Sequence, residues 1–182
     1  MTIRKIFKEQ YGIEIGIATY GCFDVDRVAR NIKIGNYCSF AQGAVIVPRR
    51  EHPLHYCSTH PFFFNSVYGW VKKSPIPNEE LVIGNDVWIG QNAVISSKCG
   101  SVGNGAIIGA CSFVNKDVPP YAVVAGVPAR VIGYRFDSET IKLLESSKWF
   151  ELSPNKLKKY VHLADNPKEF ALAIKESENT DE

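Results

Sequence analysis

No apolar run in this 182-residue chain approaches the roughly 18 residues that a membrane span needs. The first residues, MTIRKIFKEQYG, lack the hydrophobic stretch of a secretory signal. A surplus of one charge is missing too. Lys and Arg number 21 against 19 Asp and Glu, a net +2, and no basic stripe exists to follow a nucleic-acid backbone. The five cysteines (Cys22, Cys38, Cys57, Cys99 and Cys111) are odd in number, widely spaced and match no zinc-ligand spacing. They read as free thiols in a reducing compartment, so a cytoplasmic protein is expected. With 45% hydrophobic and 22% charged residues, the chain has the composition of one globular domain with a sizeable core, with room for a small appendage.

What the chain has instead is a six-residue beat. From Ile83 it reads IGNDVW, IGQNAV, ISSKCGS, VGNGAI, IGACSF, VNKDVP, with an aliphatic lead at 83, 89, 95, 102, 108 and 114. Every step is six residues except one of seven, and Gly follows the lead in four of the six blocks. The same beat occurs earlier as IGNYCS, FAQGAV, IV, with leads Ile34, Phe40 and Ile46. A period of six matches neither the 3.6 of a helix nor the 2 of a simple strand. It suits a chain that turns a corner every six residues, so that three blocks make one triangular coil. Each lead then points inward and stacks on the equivalent residue about 18 positions away. Gly and Asn near the corners accept turn conformations that β-branched residues resist. One coil cannot bury its own face, so several must stack. Nine leads in two phased groups speak against a chance run of short buried strands.

Between Ile46 and Ile83 the beat stops, over about 47–82. A gap this long inside a repeat is either functional or disordered. Its aromatics (Tyr56, Phe62, Phe63, Phe64, Tyr68, Trp70) argue against disorder, and Pro53, Pro61, Pro75 and Pro77 stiffen it. After Ile132 the pattern turns helical. Asp137 is placed to cap a helix running to about Lys148, Ser153-Pro154 to open a second through Leu163, and Asn166-Pro167 a third that ends in ESENTDE. The expected division is a solenoid domain over 1–134, with its inserted loop, and a helical extension over 135–182 that caps the solenoid's end.

The stretch REHPLHYCSTHPFFF, residues 50–64, carries His52, His55 and His60, three of the chain's four histidines. A zinc site needs three or four ligands at recognisable spacing, often on a rigid element. His-x2-His-x4-His in a proline-broken loop offers no such register, and Glu51 is the one carboxylate nearby. The coil blocks contain no histidine, which also speaks against a metal-dependent hydratase with ligands on successive coils. No metal is expected. Histidine can accept and return a proton near neutral pH, so acid–base catalysis is open to this stretch; a single histidine taken alone reads better as a satisfied surface residue. Cys57 could in principle form an acyl-enzyme. A buried structural thiol is the expected role instead.

Together with the beat, IGNDVWIG, STHPF and KDVPPYAVVAGVPARVI make residues 12–150 resemble the hexapeptide-repeat acyltransferases. Within these, the resemblance is to the xenobiotic acetyltransferase branch: streptogramin acetyltransferases, one class of chloramphenicol acetyltransferases, and O-acetyltransferases of surface polysaccharides. It implies an all-β solenoid, a left-handed parallel β-helix with a long inserted loop and a short C-terminal helical cap. That handedness departs from the usual right-handed crossover. It further implies an acetyl-CoA-dependent O-acetyltransferase, whose partners are a CoA thioester and a small-molecule or glycan acceptor. The assembly implied is a homotrimer with interface active sites, where the loop of one chain faces CoA along its neighbour's coils.

The same resemblance assigns roles to residues. His52, six positions before Ser58, stands at the place of the general base. His55 stands where many relatives have Asp, and His60 at an aromatic position, as part of a wall. Ser58 and Thr59 join them in the acceptor and acyl pocket. Trp88 in DVWIG lines that pocket or packs at a coil corner. Lys116 and Arg130 stand where relatives contact the CoA phosphates, Ala110 leaves room for the pantetheine arm, and Asn115 replaces a frequent Thr. The expected acceptor is a sugar hydroxyl of a surface polysaccharide or its precursor, with an antibiotic hydroxyl as the alternative. The rival class is a non-catalytic β-helix scaffold, since fold alone does not imply chemistry. The intact His-(x)5-Ser-Thr pattern, with Lys116 and Arg130, argues against that rival.

Overall fold

All nine lead residues are buried: Ile34, Phe40, Ile46, Ile83, Ile89, Ile95, Val102, Ile108 and Val114 belong to one core cluster. The computed structural model describes residues 1–47, 52–76 and 80–180. Strands of two or three residues, bent apart at the corners, send these side chains to a common interior. They build three sheets that the chain visits in turn. The first holds β1 (Ile13–Ile15), β2 (Ile32–Ile34), β5 (Leu81–Ile83) and β8 (Ser101–Val102), all parallel. The second begins with β3 (Ser39–Phe40), β6 (Trp88–Ile89) and β9 (Ile107–Ile108), and the third holds β4 (Val45–Ile46), β7 (Val94–Ile95) and β10 (Phe113–Val114). The second sheet then gains β11 (Ala122–Gly126), parallel to β9, and is finished by β12 (Ala129–Tyr134), which doubles back antiparallel on β11.

The stacking step differs from the expected 18. Ile83 pairs with Val102, Ile89 with Ile108 and Ile95 with Val114, each 19 residues on. Every one of these spans crosses the single seven-residue block, which therefore sets the period of the coil. The two groups of leads also stack on one another across the interruption: Ile34 on Ile83, Phe40 on Ile89 and Ile46 on Ile95. The excursion thus leaves and re-enters the stack without shifting its register.

Gly-Asn recurs at one corner, at 35–36, 84–85 and 103–104. Each asparagine accepts a backbone N–H from the coil before it. Ile17 donates to Asn36 Oδ1, Asn36 to Asn85 Oδ1 and Asn85 to Asn104 Oδ1, all at 2.8 Å. The glycine makes room for this rung, since a Cβ on Gly84 would lie 2.6 Å from Asn104 Oδ1. The left-handed backbone at this corner belongs to the following residue, with φ of 62° at Tyr37, 54° at Asp86 and 65° at Gly105. Here, then, Asn serves the ladder and not the turn. At the next corner Asn92, with φ 54°, does take the expected turn conformation.

Two features have no counterpart in the six-residue pattern. One is a first coil over 13–31, joined to the second by β1 and by bridges Tyr20–Ser39 and Val28–Ile46. The other is α1 (Ile3–Tyr11), capped by Thr2 and ended by Gly12 at φ 66°. Its Phe7 is buried in the same core, and Arg4 donates to the carbonyls of Gly16 at 2.8 Å and Thr19 at 2.9 Å.

The C-terminal helices start where their caps predict. Asp137 accepts from the Thr140 N–H at 2.7 Å to open α2 (Ser138–Ser147), and Ser153 caps α3 (Pro154–Leu157), which tightens into a 3-10 helix, Lys158–Leu163. Asn166 accepts from Glu169 N–H at the start of α4 (Pro167–Thr180). Their position differs from the expected end cap. Asn36 Nδ2 donates to the Phe150 carbonyl at 2.9 Å, Tyr37 OH to the Leu152 carbonyl at 2.5 Å, and Asn104 Nδ2 to Glu145 at 3.1 Å. Arg135 pairs with Asp86 at 2.7 Å, and Trp149 Nε1 donates to Tyr121 OH at 3.3 Å. These contacts run along one lateral edge of the stack, over successive coils. The physical reason is the ladder itself, which spends the Asn Oδ1 atoms within the stack and points Nδ2 donors of Asn36 and Asn104 outward along that edge.

Replacing Asn85 by Ala removes the acceptor of the Asn36 N–H in mid-ladder. Urea unfolding at fixed protein concentration should show a loss of about 1–3 kcal/mol, the cost of a part-buried donor left unpaired. An unchanged midpoint would mean the ladder is incidental.

Candidate active site

Of the excursion expected over about 47–82, residues 48–51 and 77–79 lie outside the described residues, Glu51 and Pro77 among them. The described part is ordered around its own contacts. His52 is exposed, and its Nδ1 lies 2.5 Å from the Thr59 carbonyl. A carbonyl can only accept, so Nδ1 carries the hydrogen in this bond. In the neutral ring the lone pair is therefore on Nε2. The ring also meets Phe64 edge-on at 5.0 Å, and Phe64 is 4% exposed, a buried wall behind an exposed residue.

The neighbouring residues have local duties. Ser58 Oγ accepts from the His60 N–H at 3.0 Å. His60 Nδ1 accepts from Phe62 N–H at 3.3 Å, capping the 3-10 turn Pro61–Phe63, and its ring packs on Phe62 at 4.3 Å. Phe62 in turn touches Tyr68 and Trp70, so the His60 ring joins a run of aromatic contacts. His55 meets only the ring of Tyr56, at 4.9 Å, among the ring contacts described. Among the described residues no three His, Cys, Asp or Glu side chains converge as a metal-ligand set.

The other candidates lie on the coils. Trp88 is 53% exposed and sits in strand β6, paired with Ser39 and Ile107. It stands on a sheet face and not at a corner, as one of the two readings had it. Ala110 is exposed at the corner between the second and third sheets, next to Gly109. Ala125 lies over Gly109 and pairs with Arg130 on β12, which brings Arg130 to the same corner. Lys116 and Arg130 are both exposed, so their charges are free to meet an anion. Asn115 Oδ1 is buried and has no hydrogen-bond partner among the described residues. A buried acceptor without a donor suits a ligand that brings N–H groups, as the pantetheine amides of CoA would. Among the described residues, no hydrogen bond, ion pair or ring contact joins residues 52–76 to the coil set of Trp88, Ala110, Asn115, Lys116 and Arg130.

No family model matches the chain. A chloramphenicol acetyltransferase of Agrobacterium fabrum is 40% identical over 143 residues, 73% of this chain and 66% of that one. A probable macrolide acetyltransferase of Lysinibacillus sphaericus is 39% identical over 126 residues, 66% of this chain and 69% of its own length. The chain belongs to the xenobiotic acetyltransferase branch of the hexapeptide-repeat acyltransferases. A solved maltose O-acetyltransferase from Clostridium difficile 630 shares the fold, at TM-score 0.50 and 24% identity, covering 70% of this chain and 61% of that one. This member of the branch spans just under two thirds of the Agrobacterium relative.

For a branch member, two contacts carry more than the motif alone reveals: the Thr59 carbonyl and the Phe64 ring, both on His52. A backbone carbonyl leaves no trace in sequence. Phe64 was visible only as one of three successive phenylalanines, of which it alone is buried. Cys57 corrects an expectation, for it is exposed. The 52–60 segment folds on itself outside Phe64, and its side chains stay at the surface.

No helix among the described residues is long and apolar enough to cross a membrane. No disulfide forms among the described residues; Cys57 and Cys111 are exposed, and Cys22, Cys38 and Cys99 are buried. Burial pushes the Cys22 thiol up to about 11 and Cys38 to about 12. Both stay neutral near neutral pH, and the thiolate is the reactive form. Ellman's reagent should therefore titrate two thiols promptly in the native protein and the other three only on unfolding. Prompt reaction of a third would contradict this core.

Proposed function

We propose that the protein is an acetyl-CoA-dependent O-acetyltransferase that modifies a hydroxyl of an antibiotic-like small molecule. The observation that carries this reading is the His52 imidazole, held by the Thr59 carbonyl at Nδ1 with Nε2 open as a base. The acceptor class rests on the relatives named for chloramphenicol and macrolides, so the antibiotic replaces the surface polysaccharide as the leading reading. The exposed rings of Phe63, Tyr68 and Trp70 on the loop support an apolar acceptor, although sugars also stack on aromatics.

In this reading acetyl-CoA is the second substrate. His52 Nε2 takes the acceptor hydroxyl's proton as that oxygen bonds to the thioester carbonyl carbon, whose π electrons move onto the carbonyl oxygen. Backbone N–H groups hold that oxyanion. As the carbonyl re-forms, the C–S bond breaks and the sulfur leaves with the bonding pair. The His52 imidazolium returns the proton to sulfur, so the products are an acetyl ester and a free thiol. A thiol with a reference pKa of about 8.5 is a good leaving group, and Cys57 is not required as a nucleophile. His55 and His60 shape the acceptor pocket with Ser58 and Thr59, and Trp88 lines its far side. Lys116 and Arg130 meet the CoA phosphates, while Ala110 and Asn115 receive the pantetheine arm.

This reading also implies a homotrimer in which each pocket takes its base from one chain and its CoA site from the next. The same reading has the coils winding left-handed, residues 1–134 as the acyltransferase domain, residues 135–182 as an appended helical extension, and the cytoplasm as the site of action.

Replacing His52 by Ala should lower turnover by roughly 10²–10⁴-fold while leaving acetyl-CoA affinity nearly unchanged, because the lost interaction is with the moving proton. His55→Ala should cost less. Steady-state kinetics with calorimetric CoA binding decide it. Equal losses in both variants together with lost CoA binding would mean that the histidines only hold the loop.

A further inference from the structure

Ser58 has been placed in the acceptor pocket by its position in the motif, yet its oxygen is committed elsewhere. Its Oγ accepts from the His60 N–H at 3.0 Å. That N–H belongs to the peptide group between Thr59 and His60, whose carbonyl is the Thr59 oxygen gripped by His52 Nδ1 at 2.5 Å. One planar peptide unit is thus held from both sides, by a hydroxyl oxygen at its N–H and an imidazole N–H at its carbonyl. Since the unit is rigid, fixing its N–H fixes the direction of its carbonyl. A hydrogen bond at the N–H also polarises the unit and makes the carbonyl a better acceptor.

The next residues continue the same support. His60 caps the 3-10 turn through Nδ1, and that turn delivers Phe64 to the His52 ring, with the Phe64 N–H bonded to the Pro61 carbonyl at 3.1 Å. His52 is therefore held at one nitrogen by a carbonyl and on one side by a buried ring. Both holds originate in the seven residues that follow Cys57.

We infer that Ser58 is a positioning residue for His52, acting through the Thr59–His60 peptide group. It selects the Nδ1-protonated tautomer and so keeps Nε2 free to accept the acceptor's proton. The inference rests on the reading of His52 as the base. It names an accepting duty for Ser58, whereas a pocket residue would use its hydroxyl toward the acceptor. The accepting duty has a simple chemical signature. Thr preserves it, and Asn preserves it in a related turn geometry that bonds its own backbone two residues on, while Ala cannot.

The test is ¹⁵N NMR of the His52 ring nitrogens in the resting protein, alongside kinetics, for Ser58→Ala, Ser58→Thr and Ser58→Asn. The wild type should show mainly the Nδ1-protonated form. In the Ala variant the ring should shift toward a mixture of tautomers and kcat should fall roughly three- to tenfold with KM for acetyl-CoA unchanged, the scale of one hydrogen bond. The Thr and Asn variants should restore both readouts. An unchanged tautomer in the Ala variant overturns the inference whatever the base is. Loss of activity in the Asn variant with the tautomer kept also overturns it, because the hydroxyl would then be acting on the acceptor. A shifted tautomer with unchanged kcat supports the coupling and removes His52 as the base.

Discussion

The structure depends on a stacking register of 19 residues between adjacent uninterrupted coils. No strand of the parallel stack before β11 is longer than three residues, so no strand is stable by itself. Each coil borrows its backbone partners and its apolar neighbours from the next, as in any repeat array. Inward leads supply the core, with roughly 1.5–3 kcal/mol for each large side chain fully removed from water. Asparagine rungs then lock one corner. The register survives the excursion between β4 and β5, since Ile46 still lies over Ile95. A long loop can therefore leave the stack without disturbing the frame that carries it.

The lateral edge follows from the same register. The Asn36 and Asn104 amides each spend Oδ1 on the stack and Nδ2 on the C-terminal segment, which ties frame and extension into one hydrogen-bonded series. Asp86, on this edge, is pushed above its ordinary value by burial, and the Arg135 guanidinium works against that shift. Tyr121 and Phe136 lie under the same guanidinium. Nothing in a helix-capping pattern at 137, 153 and 166 says where the helices will dock. That choice is made by donors left over at a corner, and those are visible only once the coils are stacked.

Much was legible because periodic burial is written in side chains. The nine leads, the interruption and the three helix starts could be read, since each depends on residue type at fixed spacing. The first coil escaped because its strands carry no regular beat: Ile13 and Ile15 are followed by Tyr20 and Val28 at uneven steps. The helix α1 has a Thr2 cap and a Gly12 stop, a weaker signal than the repeat that follows. At the proposed site, His52 stands out in the sequence through the His-(x)5-Ser-Thr pattern and its family likeness. The Thr59 carbonyl that orients it was not, because a main-chain oxygen has no letter. Cys57, expected as a buried structural thiol, is exposed, and among the described loop residues Phe64 is the one that goes inside.

The central claim is that this frame and loop move an acetyl group to a hydroxyl. It is tested most directly by following thiol release from acetyl-CoA with chloramphenicol, a macrolide and a galactoside offered in turn, and identifying the product by mass. The account predicts thiol release with an antibiotic acceptor, one acetyl ester formed per thiol freed, and much weaker release with the sugar. Thiol release with the sugar alone would move the acceptor to the glycan class. No release above hydrolysis with any hydroxyl acceptor would contradict the claim itself.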